Sequence, residues 1–91
     1  MKTRFRVIAP RSEIAIYYGW AYGIRYAREL LDNLTEVSPG FYVVRNPDNN
    51  INPTKKYCDN FANDMRCLVV SHKARMNKKL TNPTYVYVDA Y

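Results

Sequence analysis

The sequence predicts an α/β (α+β) two-layer sandwich with two helices on one face of a small sheet. Three patterns carry this expectation: strand-period alternation near both ends, two long helix-period segments, and turn signals where one period gives way to the next.

In Thr3-Arg4-Phe5-Arg6-Val7 the arginines alternate with apolar residues. Successive strand side chains point to opposite faces, so residues 3–9 read as a strand, closed by Pro10. Ser12 is the expected cap of the first helix, and Glu13 suits the positive end of its dipole. Up to Leu34 the period is helical: Ile16, Trp20, Gly23, Ala27, Leu31 and Leu34 share one side, with Arg25, Arg28, Glu29 and Asp32 opposite. Ala15, Gly19, Gly23 and Ala27 form a strip of small side chains. An interior glycine costs about 1 kcal/mol against alanine, so Gly23 and Ala27 are expected to let the helix lie close on its sheet.

Ser38-Pro39-Gly40 interrupts the chain, Phe41–Val44 is a short strand, and Asn46-Pro47-Asp48-Asn49-Asn50 is a turn signal. Ile51–Tyr57 reads as a returning hairpin strand that Pro53 would confine to an edge. A second helix starts near Asp59 or Asn60 and aligns Phe61, Met65, Leu68, Val69, His72 and Met76. Its apolar run Cys67–Val70 is compatible with a buried strand, but the longer periodicity favours helix. Asn82-Pro83 ends that helix. Residues 84–90 form the last strand, where Tyr85 and Tyr87 alternate with Val86 and Val88.

The order is β-α-β-(β)-α-β. Right-handed crossovers put both helices on one sheet face, a plan close to the split-βαβ or ferredoxin-like arrangement. That face buries Phe5, Val7, Val86 and Val88. The opposite face, with its arginines and tyrosines, meets water, a partner or a second copy of the chain.

Ninety-one residues suit one compact domain spanning residues 1–91. Fourteen Lys and Arg against eight Asp and Glu give a formal charge of +6, which favours polyanionic partners. Cys58 and Cys67 make no disulfide framework and are expected as thiols in a reducing cytoplasm. The uncharged stretch Ile14–Ile24 would cross only about half a bilayer, so no membrane partner is expected. Enzymatic signatures are missing: the sequence has no glycine-rich phosphate loop, no nucleophile elbow and no H-E-x-x-H. His72 is the single histidine, read as a core residue rather than a ligand. No catalytic residue, metal or cofactor is expected.

Three groups are candidate binding residues. Arg4, Arg6, Tyr42, Tyr85 and Tyr87 are placed on the uncovered sheet face, where guanidinium groups meet phosphates and tyrosines stack on bases. RNA-recognition modules use a four-stranded sheet this way, but their glycine-and-aromatic signature is absent here. Lys73, Arg75, Lys78 and Lys79 form a basic group late in the second helix. Tyr18, Tyr22 and Arg25 form a helical patch suited to protein contact. The expected function is noncatalytic binding of RNA or another single strand. The alternative is a small inhibitor or adaptor, of the kind phages encode against host or defence proteins. It would dock through tyrosine-rich surfaces, with RNA as a bridge, and homodimerisation would compete for the sheet face.

Overall fold

A computed structural model describes residues 3–44, 53–77 and 84–91. The elements are β1 (Phe5–Pro10), α1 (Arg11–Tyr22), α2 (Ile24–Asp32), β2 (Thr35–Ser38), β3 (Phe41–Val44), α3 (Lys55–Arg75) and β4 (Tyr87–Ala90). The strands form one four-stranded sheet in the order β2-β3-β1-β4, and every neighbouring pair is antiparallel. β1 and β2 therefore run in the same direction with β3 between them, and β3 and β4 do so with β1 between them. Each helical crossover skips one strand, as in a split βαβ unit.

Alternation sorts the sheet into two faces. Val7 stands opposite Val44 on one side and Val88 on the other, and Ala9 stands opposite Tyr42. On this face Val7, Ala9, Val44 and Val86 are buried with Ile14, Tyr17 and Tyr18 of α1, Ala27 and Leu30 of α2, and Cys58, Phe61, Ala62 and Met65 of α3. Phe5 and Val88 pack against this core as the alternation requires.

Four local expectations are corrected. The first helix breaks at Gly23, whose φ of 98° and ψ of 157° lie in a region essentially confined to glycine. The hydrogen bonds still pass through it: its N–H donates to Gly19 O at 3.2 Å, and its carbonyl accepts from Ala27 N at 3.1 Å. A Cβ at Gly19 or Gly23 would meet nothing within 4 Å, so close packing on the sheet does not explain these glycines. The break also resets the helical phase. α1 buries Ile14, Tyr17 and Tyr18, while Trp20 is 40% exposed and Ile16 only partly buried.

Second, α1 begins directly after β1: Pro10 is its N-cap, and Ser12 caps nothing. Third, the hairpin partner of β3 precedes it. Thr35–Ser38 pairs with Phe41–Val43 around the Pro39-Gly40 turn, with a bulge between Glu36 and Ser38. The returning strand expected at residues 51–57 is not formed by its described part: residues 51 and 52 lie outside the described residues, and α3 begins at Lys55. Thr54 caps that helix by accepting from Tyr57 N at 3.2 Å. Fourth, α3 ends at Arg75, and Met76 is exposed rather than aligned with Phe61, Met65 and Val69. The expected turn at Asn46–Asn50 and stop at Asn82-Pro83 lie outside the described residues. Residues 67–70 are helical. Among the described residues, no helix is long and apolar enough to cross a membrane.

Candidate nucleic-acid interface

Among the described residues, no helix packs on the second sheet face. Its rows follow from the register: Ile8 lies between Val43 and Tyr87, Pro10 stands opposite Phe41, and Arg6 stands opposite Asp89. β2 adds Thr35 opposite Val43 and Ser38 opposite Phe41. The bulge leaves Val37 unpaired in the ladder and exposed.

Aromatic rings cover one half of this face. Tyr85 and Tyr87 lie with ring planes 9° apart and centroids 6.1 Å apart, each about half exposed. Phe41 reaches across from β3 to place its ring 5.6 Å from that of Tyr87, tilted by 60°. Next to this pair, Ile8, Val37, Ser38, Phe41, Tyr87, Val88 and Asp89 line an open hollow of about 410 Å³. The other half of the face is charged. The Arg6 guanidinium donates to Asp89 Oδ2 at 3.3 Å and lies over the Tyr91 ring, 4.9 Å from its centroid. Arg6 Nε is buried without a hydrogen-bond partner. Arg4 is exposed one row further along, its backbone paired with Tyr91.

Arg4, Arg6, Tyr85 and Tyr87 thus share one face. Tyr42 does not: it stands opposite Ala9 on the helix side, and its hydroxyl donates to Glu36 Oε2 at 2.7 Å. That bond to a carboxylate holds the Tyr42 hydroxyl above the usual phenol range. Phe41, Val43, Asp89 and Tyr91 were not singled out from sequence. The signal for Phe41 was its one-residue offset from Tyr42, which only the register with β1 resolves.

The basic group of α3 belongs to the other layer. Lys73 pairs with Glu13 at 3.6 Å, tying the end of α3 to the first turn of α1. The Arg75 guanidinium lies 4.4 Å from the centroid of the Trp20 ring, against which His72 packs edge-on. Glu13 is buried, and desolvation raises its carboxyl above the ordinary value although Lys73 opposes this. Lys78 and Lys79 lie outside the described residues. The half-buried His72 has its Nδ1 buried without a hydrogen-bond partner. Cys58 is buried and Cys67 exposed, with no disulfide between them. Among the described residues, no three His, Cys, Asp or Glu side chains are grouped to hold a metal ion.

The helical tyrosine patch divides. Tyr18 is only 1% exposed and belongs to the core, which corrects its assignment to a surface patch. Its ring stacks on those of Tyr22, at 5.4 Å, and Tyr26, at 5.9 Å, and meets Tyr17 edge-on at 5.1 Å. Burial pushes the Tyr17 hydroxyl up to about 12 and raises that of Tyr18 strongly, so both stay neutral at physiological pH. Tyr22, Ile24, Arg25 and Tyr26 are the exposed rim of this cluster. No protein-family model, curated protein or solved structure matches the chain.

Proposed function

We propose that the helix-free sheet face binds single-stranded nucleic acid, RNA or DNA, without catalysis. The observation that carries this reading is the near-parallel pair of half-exposed rings, Tyr85 and Tyr87, flanked by Phe41 on a face that no helix covers among the described residues. Flat aromatic surfaces stack splayed bases at about 1–3 kcal/mol per base with little regard to sequence. Arg4 and Arg6 at one end of the platform supply phosphate contacts. A cytoplasmic location suits such a ligand.

Two arginines, one of them paired with Asp89, imply modest salt dependence. With one to two phosphates neutralised, affinity falls roughly 3- to 12-fold between 50 and 300 mM salt. Fluorescence anisotropy of a labelled oligonucleotide tests the reading. Tyr87→Ala should weaken binding at least fivefold without lowering thermal stability by more than a few degrees. No binding at 50 mM salt, or full affinity in Tyr87→Ala, would overturn it.

A second reading, the inhibitor or adaptor that docks on a protein, is favoured by the exposed Tyr22, Ile24 and Tyr26 around buried Tyr18. A nuclease-resistant complex lost in Ile24→Asp but retained in Tyr87→Ala would support it over the first.

A further inference from the structure

The hollow beside the aromatic platform has chemistry that stacking alone does not use. Its walls are Ile8, Val37, Ser38, Phe41, Tyr87 and Val88, and Asp89 is the charged residue lining it. A carboxylate only accepts hydrogen bonds, and its two oxygens offer about four lone-pair sites. Ala90 N uses one on Oδ1 at 2.9 Å, and Arg6 uses one on Oδ2 at 3.3 Å. Each oxygen therefore retains acceptor capacity, and the side chain is half exposed.

A base stacked on Tyr87 beside Phe41 brings an edge to this carboxylate, which lines the same hollow. Adenine offers it one amine beside a ring acceptor, cytosine does the same, and uracil offers a single N–H between two carbonyls. Guanine alone presents two adjacent donors, N1–H and the N2 amine, and next to them the acceptor O6. Asp89 supplies the acceptors and Arg6, fixed beside it, supplies a donor. The order of polar groups along the Arg6–Asp89 pair thus complements the whole Watson–Crick edge of guanine.

We propose that the Arg6–Asp89 pair makes this face a guanine-selective subsite, so that a strand binds with a guanine stacked on Tyr87 beside Phe41. The inference rests on the single-strand reading above. Binding of labelled oligouridylates that differ only in one central guanosine, adenosine or inosine tests it on the unaltered protein. Guanosine should bind about tenfold tighter than adenosine, as expected for one bidentate contact. Inosine, which lacks the N2 amine, should lose a substantial part of that advantage. Asp89→Asn keeps the size of the side chain but offers one acceptor oxygen in place of two. It should reduce the preference for guanosine over adenosine to less than about twofold. Equal binding of the three oligonucleotides would overturn the guanine subsite and leave the stacking platform standing. A preference that survives in Asp89→Asn would also overturn it. No binding of any strand would overturn both readings.

Discussion

Gly19 and Gly23 are expected to respond to the same substitution with opposite sign. Gly19 lies inside α1, and a Cβ there meets nothing within 4 Å. Gly19→Ala therefore adds no clash and reduces the freedom of the unfolded chain, a gain of about 0.5–1 kcal/mol. Gly23 has equal space around it, but its φ of 98° and ψ of 157° exclude a side chain. Gly23→Ala must either hold that strained backbone, at about 1–3 kcal/mol, or straighten the joint between α1 and α2. Straightening would move Ala27 and Leu30 off the core. The two variants should differ by roughly 1.5–4 kcal/mol. At about 4–8 °C per kcal/mol for a domain of this size, Gly19→Ala should melt a few degrees above the parent. Gly23→Ala should melt about 4 °C or more below it. Urea unfolding followed by far-UV circular dichroism gives both free energies from one slope. A Gly23→Ala variant as stable as Gly19→Ala would refute the view that backbone conformation at residue 23 sets the bend. A destabilised Gly19→Ala would reveal a close neighbour that the structure does not contain.

Tyr18→Ala should cost about 3–5 kcal/mol, as for other buried aromatics, whereas Tyr22→Ala, 46% exposed, should cost less than half as much. Similar melting temperatures for the two would contradict the core placement of Tyr18. Glu13 gives a pH test: its carboxyl is raised by burial, so the folded state favours the protonated form. The associated stability is present below the ordinary carboxylate value of 4.5 and is lost as pH rises through the higher folded value. Relative to Glu13→Gln, the parent should therefore gain stability as pH falls from neutrality toward 4.5, measured by urea unfolding at several pH values. The opposite slope would mean that attraction to Lys73 outweighs desolvation. Thr54→Ala removes the cap of α3 and should cost about 1 kcal/mol by the same assay, and an unchanged midpoint would show the cap to be dispensable.

The layers and the placement of helices on one face were legible because Phe5, Val7, Val86 and Val88 alternate with polar residues at both ends of the chain. Gly23 and the faces of β3 were not. A long helical period with two glycines reads as one helix unless a backbone angle is known, and Tyr17 and Tyr18 fit either side of such a helix as well as Trp20 does. In Phe41-Tyr42-Val43-Val44 both alternations are apolar or aromatic, so only pairing with β1 decides that Phe41 joins the exposed platform and Tyr42 does not. Thr35–Ser38 carries no strand signal in the sequence because its residues are exposed throughout, which leaves no apolar alternation to read. The basic residues of α3 were identifiable as a cluster, but their engagement with Glu13 and Trp20 depends on how α1 and α3 cross. Charge counted along a sequence overstates the charge that a surface offers.

Arg4 and Tyr91 join their backbones at 2.8 and 3.2 Å, and β1 takes β4 as one of its two neighbours. During synthesis, β3 follows β1 by a few dozen residues, whereas the β4 segment arrives more than 80 residues later. At about 5–20 residues per second, the β4 side of β1 waits roughly 4–17 s for its partner. Through that interval the strand bearing Val7 and Ile8 has one row of backbone groups unsatisfied and open to pairing with other chains.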